Sequence, residues 1–185
     1  MVYILLGAGF ETTEALTAAD VLRRANLPVT LTGIGGDTVT SSHSVTVRAD
    51  LPVEEVTLEE GDMVVLPGGL GGVAAIEGSE AAMTLIRQAM GDDKLWLAAI
   101  CAAPTLLARA GLLAPGIHCV CYPGMEGALA AAGAVPMMEQ SVVTEGKLVT
   151  GRGPGSAFDF GLAIVEALAG LEAIGMVAAG LVYNS

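Results

Sequence analysis

Leu95-Trp96-Leu97-Ala98-Ala99-Ile100-Cys101-Ala102-Ala103-Pro104-Thr105 is the stretch that decides the fold. Six apolar residues in a row, with no polar alternation, read as a strand buried on both faces of a parallel sheet. Pro104 has no N–H to lose and sits comfortably in the first turn of a helix, so the chain turns from strand to helix around Cys101. A sulfur at such a junction meets unpaired N–H groups and the positive end of a helix dipole. Both favour thiolate and lead us to expect a thiol pKa below the free value of about 8.5. A free cysteine elsewhere reads first as a small core hydrophobe; the strand-to-helix setting makes this one a candidate nucleophile.

Working outward, apolar runs alternate with helical patterns nearly throughout, which predicts an α/β fold with a mostly parallel sheet covered on both faces. The predicted strands are 2–6, 29–33, 63–66, 95–100, 119–122 and 148–150, with a hairpin around 45–47. The predicted helices are 12–25, 79–90, 104–110, 125–132, 156–168 and 171–179. The helix from Ser156 is apolar almost all round. It needs a cover on its outer side, either an oligomer partner or a tail helix of the same chain. No linker, repeat or low-complexity tract divides the 185 residues, so we read one domain over 1–185.

Composition narrows the class. The chain is 53% hydrophobic and 15% charged, too apolar for a disordered protein. No apolar stretch reaches the ~18 residues of a membrane span. The first strand is short, lacks a basic leader and runs straight into Gly7, so it does not read as a signal peptide. Three cysteines give no pairing framework, which points to reduced thiols and a cytoplasmic setting. A net charge of −12 repels phosphate backbones and anionic lipid, so nucleic acid and membrane are unexpected partners.

If residues 11–25 form one helix, Glu14 lies in the middle of the apolar stripe made by Ala18, Val21, Leu22 and Ala25. An unpaired carboxylate there is costly and its pKa should rise, which makes Glu14 a candidate general acid. Glu11, closer to the helix start, suits the dipole instead. Pro67-Gly68-Gly69-Leu70-Gly71-Gly72 follows a strand, where open α/β sheets place ligands, yet has neither the lysine nor the spacing of a phosphate-binding loop; alone it reads as a tight turn. Gly151-Arg152-Gly153-Pro154-Gly155 is a second turn of this kind. Its Arg152 either holds an anion or braces the loop. Cys119 and Cys121 share a strand face but have no histidines clustered with them, so no metal is expected. His43 and His118 stand in no catalytic spacing and read as structural.

Glu11-Thr12-Thr13-Glu14-Ala15, Val65-Leu66-Pro67-Gly68-Gly69, the run from Ala98 to Thr105 and Gly151 to Gly155 together resemble the ThiJ/PfpI superfamily, in the branch of the Parkinson-linked protein deglycase and its bacterial relatives. The resemblance covers the chain from first strand to last helix. It implies a flavodoxin-like three-layer sandwich, a homodimer and an oxidisable catalytic cysteine. By it, Cys101 is the nucleophile, Glu14 its protonated partner, and the N–H groups of Gly69 and Ala102, beside Gly68, an oxyanion site. It further implies a cofactor-free enzyme of glyoxalase or deglycase type acting on 2-oxoaldehydes or glycated substrates; the alternative is a redox sensor or holdase chaperone that works through oxidation of Cys101. Two positions depart from the pattern. Tyr122 stands where that branch has a histidine, and a tyrosine is no base at neutral pH. Ala102 stands where the protease-like branch has a histidine, which weakens a peptidase reading.

Overall fold

A computed structural model describes residues 1–183. The strands are β1 Val2–Leu6, β2 Val29–Gly33, β3 Thr38–Thr40, β4 Thr46–Arg48, β5 Leu51–Pro52, β6 Met63–Leu66, β7 Trp96–Ile100, β8 His118–Cys119, β9 Val135–Pro136, β10 Val142–Glu145 and β11 Leu148–Gly151. The helices are α1 Thr12–Arg24, α2 Leu70–Gly78, α3 Glu80–Gly91, α4 Ala103–Arg109, α5 Glu126–Ala131, α6 Ala157–Ala169 and α7 Leu171–Leu181. The central sheet runs β10-β11-β7-β6-β1-β2-β5. Its neighbours are parallel except for the edge pair β10 and β11.

Alternation along the strands divides the core in two. Leu5, Val64, Leu66, Leu97 and Ala99 face the layer of α2, α3 and α4. Ile4, Leu6, Met63, Val65, Ala98 and Ile100 face α1 and α6. Each of the valine, leucine, isoleucine and methionine side chains among them contributes about 1.5–3 kcal/mol by leaving water. The result is the expected three-layer α/β sandwich. The apolar α6 packs on α1 and is covered on its outer side by α7, the intramolecular alternative of the two foreseen.

Two local readings need correction, and the expected hairpin gains its bounds. Of the expected strand 119–122 only Cys119 stays in a ladder, as the second residue of β8. Beyond it the Val120 N–H donates to Thr150 Oγ1 at 3.0 Å and the Tyr122 N–H to the Cys101 carbonyl at 2.9 Å, so a side chain and a strand end replace a ladder partner. The segment 45–47 is mostly the second arm of a hairpin in which Thr38 pairs with Arg48 and Thr40 with Thr46. The glycine-rich stretch after β6 is a turn only as far as Gly69. Helix α2 begins at Leu70, unforeseen because Gly71 and Gly72 lower helix propensity and the apolar run has no polar face to reveal a period.

The chain leaves β1 toward β2 and later returns on the other side of β1 to β6. The order therefore reverses between β1 and β6, and open α/β sheets bind ligands at the carboxyl ends beside such a reversal. The helix after β1 carries Glu14, the loop after β6 carries Gly68 and Gly69, and β7 ends on Cys101.

Candidate active site

Cys101 follows the last residue of β7 and takes a φ of +64°, a left-handed conformation that a side chain with a Cβ adopts only under constraint. The constraint comes from both sides. Its N–H donates to the Gly151 carbonyl at 2.9 Å, and its own carbonyl accepts the Tyr122 N–H at 2.9 Å. Two neighbouring segments thus hold the peptide in a sharp elbow that leaves the residue partly exposed.

Glu14 is 1% exposed. Its Oε2 accepts the Gly68 N–H at 2.7 Å, while Oε1 has no partner among the described residues. The Gly68 carbonyl accepts the Glu11 N–H at 2.9 Å, so both polar groups of the Gly68 peptide are clamped by the start of α1. Position 68 leaves no room for a side chain: a Cβ there would stand 2.6 Å from Cys101 Cβ, 2.7 Å from Glu14 Oε2 and 3.0 Å from Cys101 Sγ. At Gly69, φ is +83° and a Cβ would stand 2.3 Å from the Gly9 carbonyl oxygen. Gly68→Ala is expected to push Glu14 and Cys101 apart and lower stability by about 1–3 kcal/mol, as overpacking does. Its denaturation midpoint beside wild type is the check, and an unchanged midpoint would mean that the loop gives way.

Burial sets the titration of the pair. It pushes the Glu14 carboxyl from 4.5 up to about 7, opposed by the hydrogen bonds from the Gly68 N–H and from Cys101. The Cys101 thiol is pushed up to about 12, first by burial and then by the charge and hydrogen bond of Glu14, against lowering contacts from the Ala102 and Gly69 N–H groups. The expectation of a depressed thiol pKa is therefore corrected. Helix α4 has only seven residues, and desolvation outweighs what its amino end offers. Thiol and carboxyl are coupled: burial disfavours charge on either, and charge on Glu14 raises the thiol further, so the pair resists carrying two negative charges. A thiolate exists at neutral pH only while Glu14 holds the shared proton.

Cys101, Glu14, Gly68, Gly69 and Ala102 are thus brought together. Tyr122 and Arg152 stand beside them, on the segments whose backbone holds the elbow. The surroundings add groups that no motif announced. Thr105 Oγ1 donates to the Ala102 carbonyl at 2.7 Å and accepts from Arg109 Nη1 at 2.9 Å; Arg109 in turn grips Glu77 of α2 through two hydrogen bonds. Their only trace in the sequence is a threonine and an arginine one helical turn apart. Cys119 and Cys121 are fully buried in the core. His118 lies 2.7 Å from Glu145, and His43 3.5 Å from Glu11, so neither histidine touches the pair.

Comparison with known proteins fits this arrangement to a family. The profile described as DJ-1/PfpI family matches residues 1–167. The chain belongs to the DJ-1/PfpI family. It is 42% identical over 184 residues to protein dj-1beta of Drosophila melanogaster, covering 98% of this chain and 97% of that one. The crystal structure of that Drosophila DJ-1beta superposes with a TM-score of 0.92 at 39% identity, covering 100% of this chain and 98% of the other. The sandwich seen here is therefore the flavodoxin-like fold of DJ-1 proteins. Glutathione-independent glyoxalase DJR-1.2 of Caenorhabditis elegans is 29% identical over 162 residues, covering 88% of this chain and 84% of its own. Within the DJ-1/PfpI frame, the motifs at Glu14, Gly68–Gly69, Cys101 and Arg152 all converge on the carboxyl end of one sheet. Among the described residues no helix is long and apolar enough to cross a membrane.

Proposed function

We propose that this DJ-1/PfpI protein is a cysteine-dependent, cofactor-free enzyme acting on reactive 2-oxoaldehydes or their adducts, of glyoxalase or deglycase type. The observation that carries the reading is the partly exposed Cys101 elbow against a buried carboxyl that holds its proton up to about 7. The likeness to a protein named a glyoxalase supports the substrate class.

In this reading the Cys101 sulfur adds to the aldehyde carbon: the C–S bond forms and the carbonyl pair moves onto oxygen, which takes the proton of Glu14. The N–H groups of Gly69 and Ala102, which already face the sulfur, are the donors nearest to that oxygen. Glu14, now ionised, carries the hydrogen from the first carbon to the second, and the hemithioacetal becomes its isomer, a 2-hydroxy thioester. Water then forms the new C–O bond as the C–S bond breaks, and the sulfur leaves to share a proton with Glu14 again. The sum is 2-oxoaldehyde plus water to 2-hydroxy acid, with no net oxidation. Conversion of methylglyoxal to lactate by the protein, with no cofactor added, tests the reading; absence of turnover overturns it.

A second reading rests on the same pair. In it the protonated Glu14 carboxyl donates to a Cys101 sulfinate, as suits a redox sensor or holdase chaperone that oxidises at Cys101 without turnover. Either role suits a cytoplasmic compartment that keeps thiols reduced. We also expect a homodimer, supported by large apolar side chains left exposed on and after α7, among them Leu171, Met176 and Val182. Light scattering at micromolar concentration should give twice the chain mass, and a monomer mass would contradict it.

A further inference from the structure

A cleft between the segments whose backbone holds Cys101 has a chemical bias of its own. About 320 Å³ of space is lined by Tyr122, Pro123, Ser141, Arg152 and the turn Gly153 to Ser156. No acid is among these residues, although the chain carries 20 acids against 8 bases. Of the other seven cations six are engaged: Arg23, Arg24, Arg87, Lys94 and Arg109 each lie against an acid, and Lys147 stands 4.1 Å over the Trp96 ring, which leaves Arg48, on the hairpin strand β4, as the other cation without a partner among the described residues. The exposed Arg152 guanidinium has no hydrogen-bond or ion-pair partner among the described residues, so it does not brace its loop. The hydroxyls of Tyr122 and Ser141 have none either.

The backbone ties the residues that carry these donors to the Cys101 peptide. The Arg152 N–H donates to the Ser141 carbonyl at 2.9 Å, which sets the two side by side. Gly151, one residue before Arg152, accepts the Cys101 N–H, and the Tyr122 N–H donates to the Cys101 carbonyl. The two walls of the cleft are therefore the two segments that hold the nucleophile's own peptide. Gly153 leaves the Tyr122 ring close to the turn: a Cβ there would meet ring atoms at 3.3 and 3.7 Å.

We propose that Arg152, with the Tyr122 and Ser141 hydroxyls, forms a carboxylate-accepting subsite that makes the preferred substrates 2-oxoaldehydes bearing an acid group. The substrate class rests on the function proposed above. A planar guanidinium and two hydroxyl donors match the acceptor-only oxygens of a carboxylate. Arg152 puts a cation without a counter-charge into a lining that has no acid, on a protein of net charge −12, so an anion is drawn to it. Arg152 is in this sense a specificity-determining residue, and Tyr122 contributes a hydroxyl donor where the family pattern has a histidine.

Two paired measurements on wild type, Arg152→Met and Arg152→Lys test the subsite. The first is alkylation of Cys101 by iodoacetate relative to iodoacetamide, which needs no turnover. The second is kcat/KM for 4-carboxyphenylglyoxal relative to phenylglyoxal. Both ratios should fall about tenfold in Arg152→Met, the size of one charge-assisted contact. Arg152→Lys should recover most of the loss, and added salt should shrink the wild-type preference. The alkylation ratio decides: if it stays within about twofold of wild type in Arg152→Met, the proposal is wrong whatever the turnover shows. If that ratio falls while neither glyoxal is turned over by wild type, the subsite stands and the enzymatic reading fails.

Discussion

Cys101→Ser should reduce methylglyoxal turnover by at least about a thousandfold, the scale on which loss of a covalent nucleophile acts. Serine is close to cysteine in size, and the elbow is held by the Gly151 carbonyl and the Tyr122 N–H, neither of which involves the side chain. The backbone should therefore survive the change and the melting temperature should stay near wild type. What changes is acidity. The thiol can pass its proton to the Glu14 carboxyl, which burial has raised to about 7, and so become a thiolate; an alcohol in the same place stays a neutral hydroxyl. Glu14 would then titrate beside a neutral hydroxyl, and the addition step would lack a nucleophile. Steady-state kinetics with the two proteins at matched concentration is the measurement. Residual activity above about a tenth of wild type would move the chemistry to another residue and overturn the mechanism.

Glu14→Leu is expected to trade activity for stability, with a sign that depends on pH. The folded protein holds the Glu14 proton up to about 7, whereas the unfolded chain releases it near 4.5. Between those values the native state binds more protons than the unfolded state, so wild-type stability falls as pH rises through the window. The shift is worth about 3 kcal/mol in total. Leucine has no proton to lose but leaves the Gly68 N–H without its acceptor, which costs about 1–3 kcal/mol at every pH. The melting temperature of the variant relative to wild type should therefore climb from pH 4.5 to 7, and at pH 8 it should equal or exceed wild type. Turnover should drop at least about tenfold, as for a lost general acid. Peroxide should carry Cys101 past a stable sulfinate, because the donor that would stabilise it is gone. An enzyme loses turnover here, while a pure sensor loses only its oxidised state. A melting difference that does not vary with pH, with normal turnover, would make Glu14 a structural acid.

Much of this was legible in the chain alone. The unbroken apolar run before Cys101 determined a doubly covered strand, because no alternation means no solvent face. The proline three residues on determined the turn into helix. The helical period placed Glu14 against the core, and burial raises its pKa as that position requires. These are local properties, set by periodicities of two and 3.6 residues and by the geometry of one ring. The four motifs together also pointed to the family, since their order follows the order of the strands that carry them.

What the sequence did not hold was every quantity that depends on distance between segments far apart in the chain. The thiol pKa is the clearest case: the helix end at Ala102 is local and visible, whereas desolvation and the Glu14 charge come from the sheet and from α1, and they win. The strain at Cys101 needs Gly151 and Tyr122, which reach it only because β11 lies beside β7 and the segment after β8 crosses its end. Gly68 could be read only as a turn until the fold set Cys101 and Glu14 where its Cβ would be. Arg152 stood between two roles for the same reason. Whether a guanidinium braces a loop or waits for an anion depends on which acids come near it, and among the described residues tertiary packing gives Arg152 no ion pair.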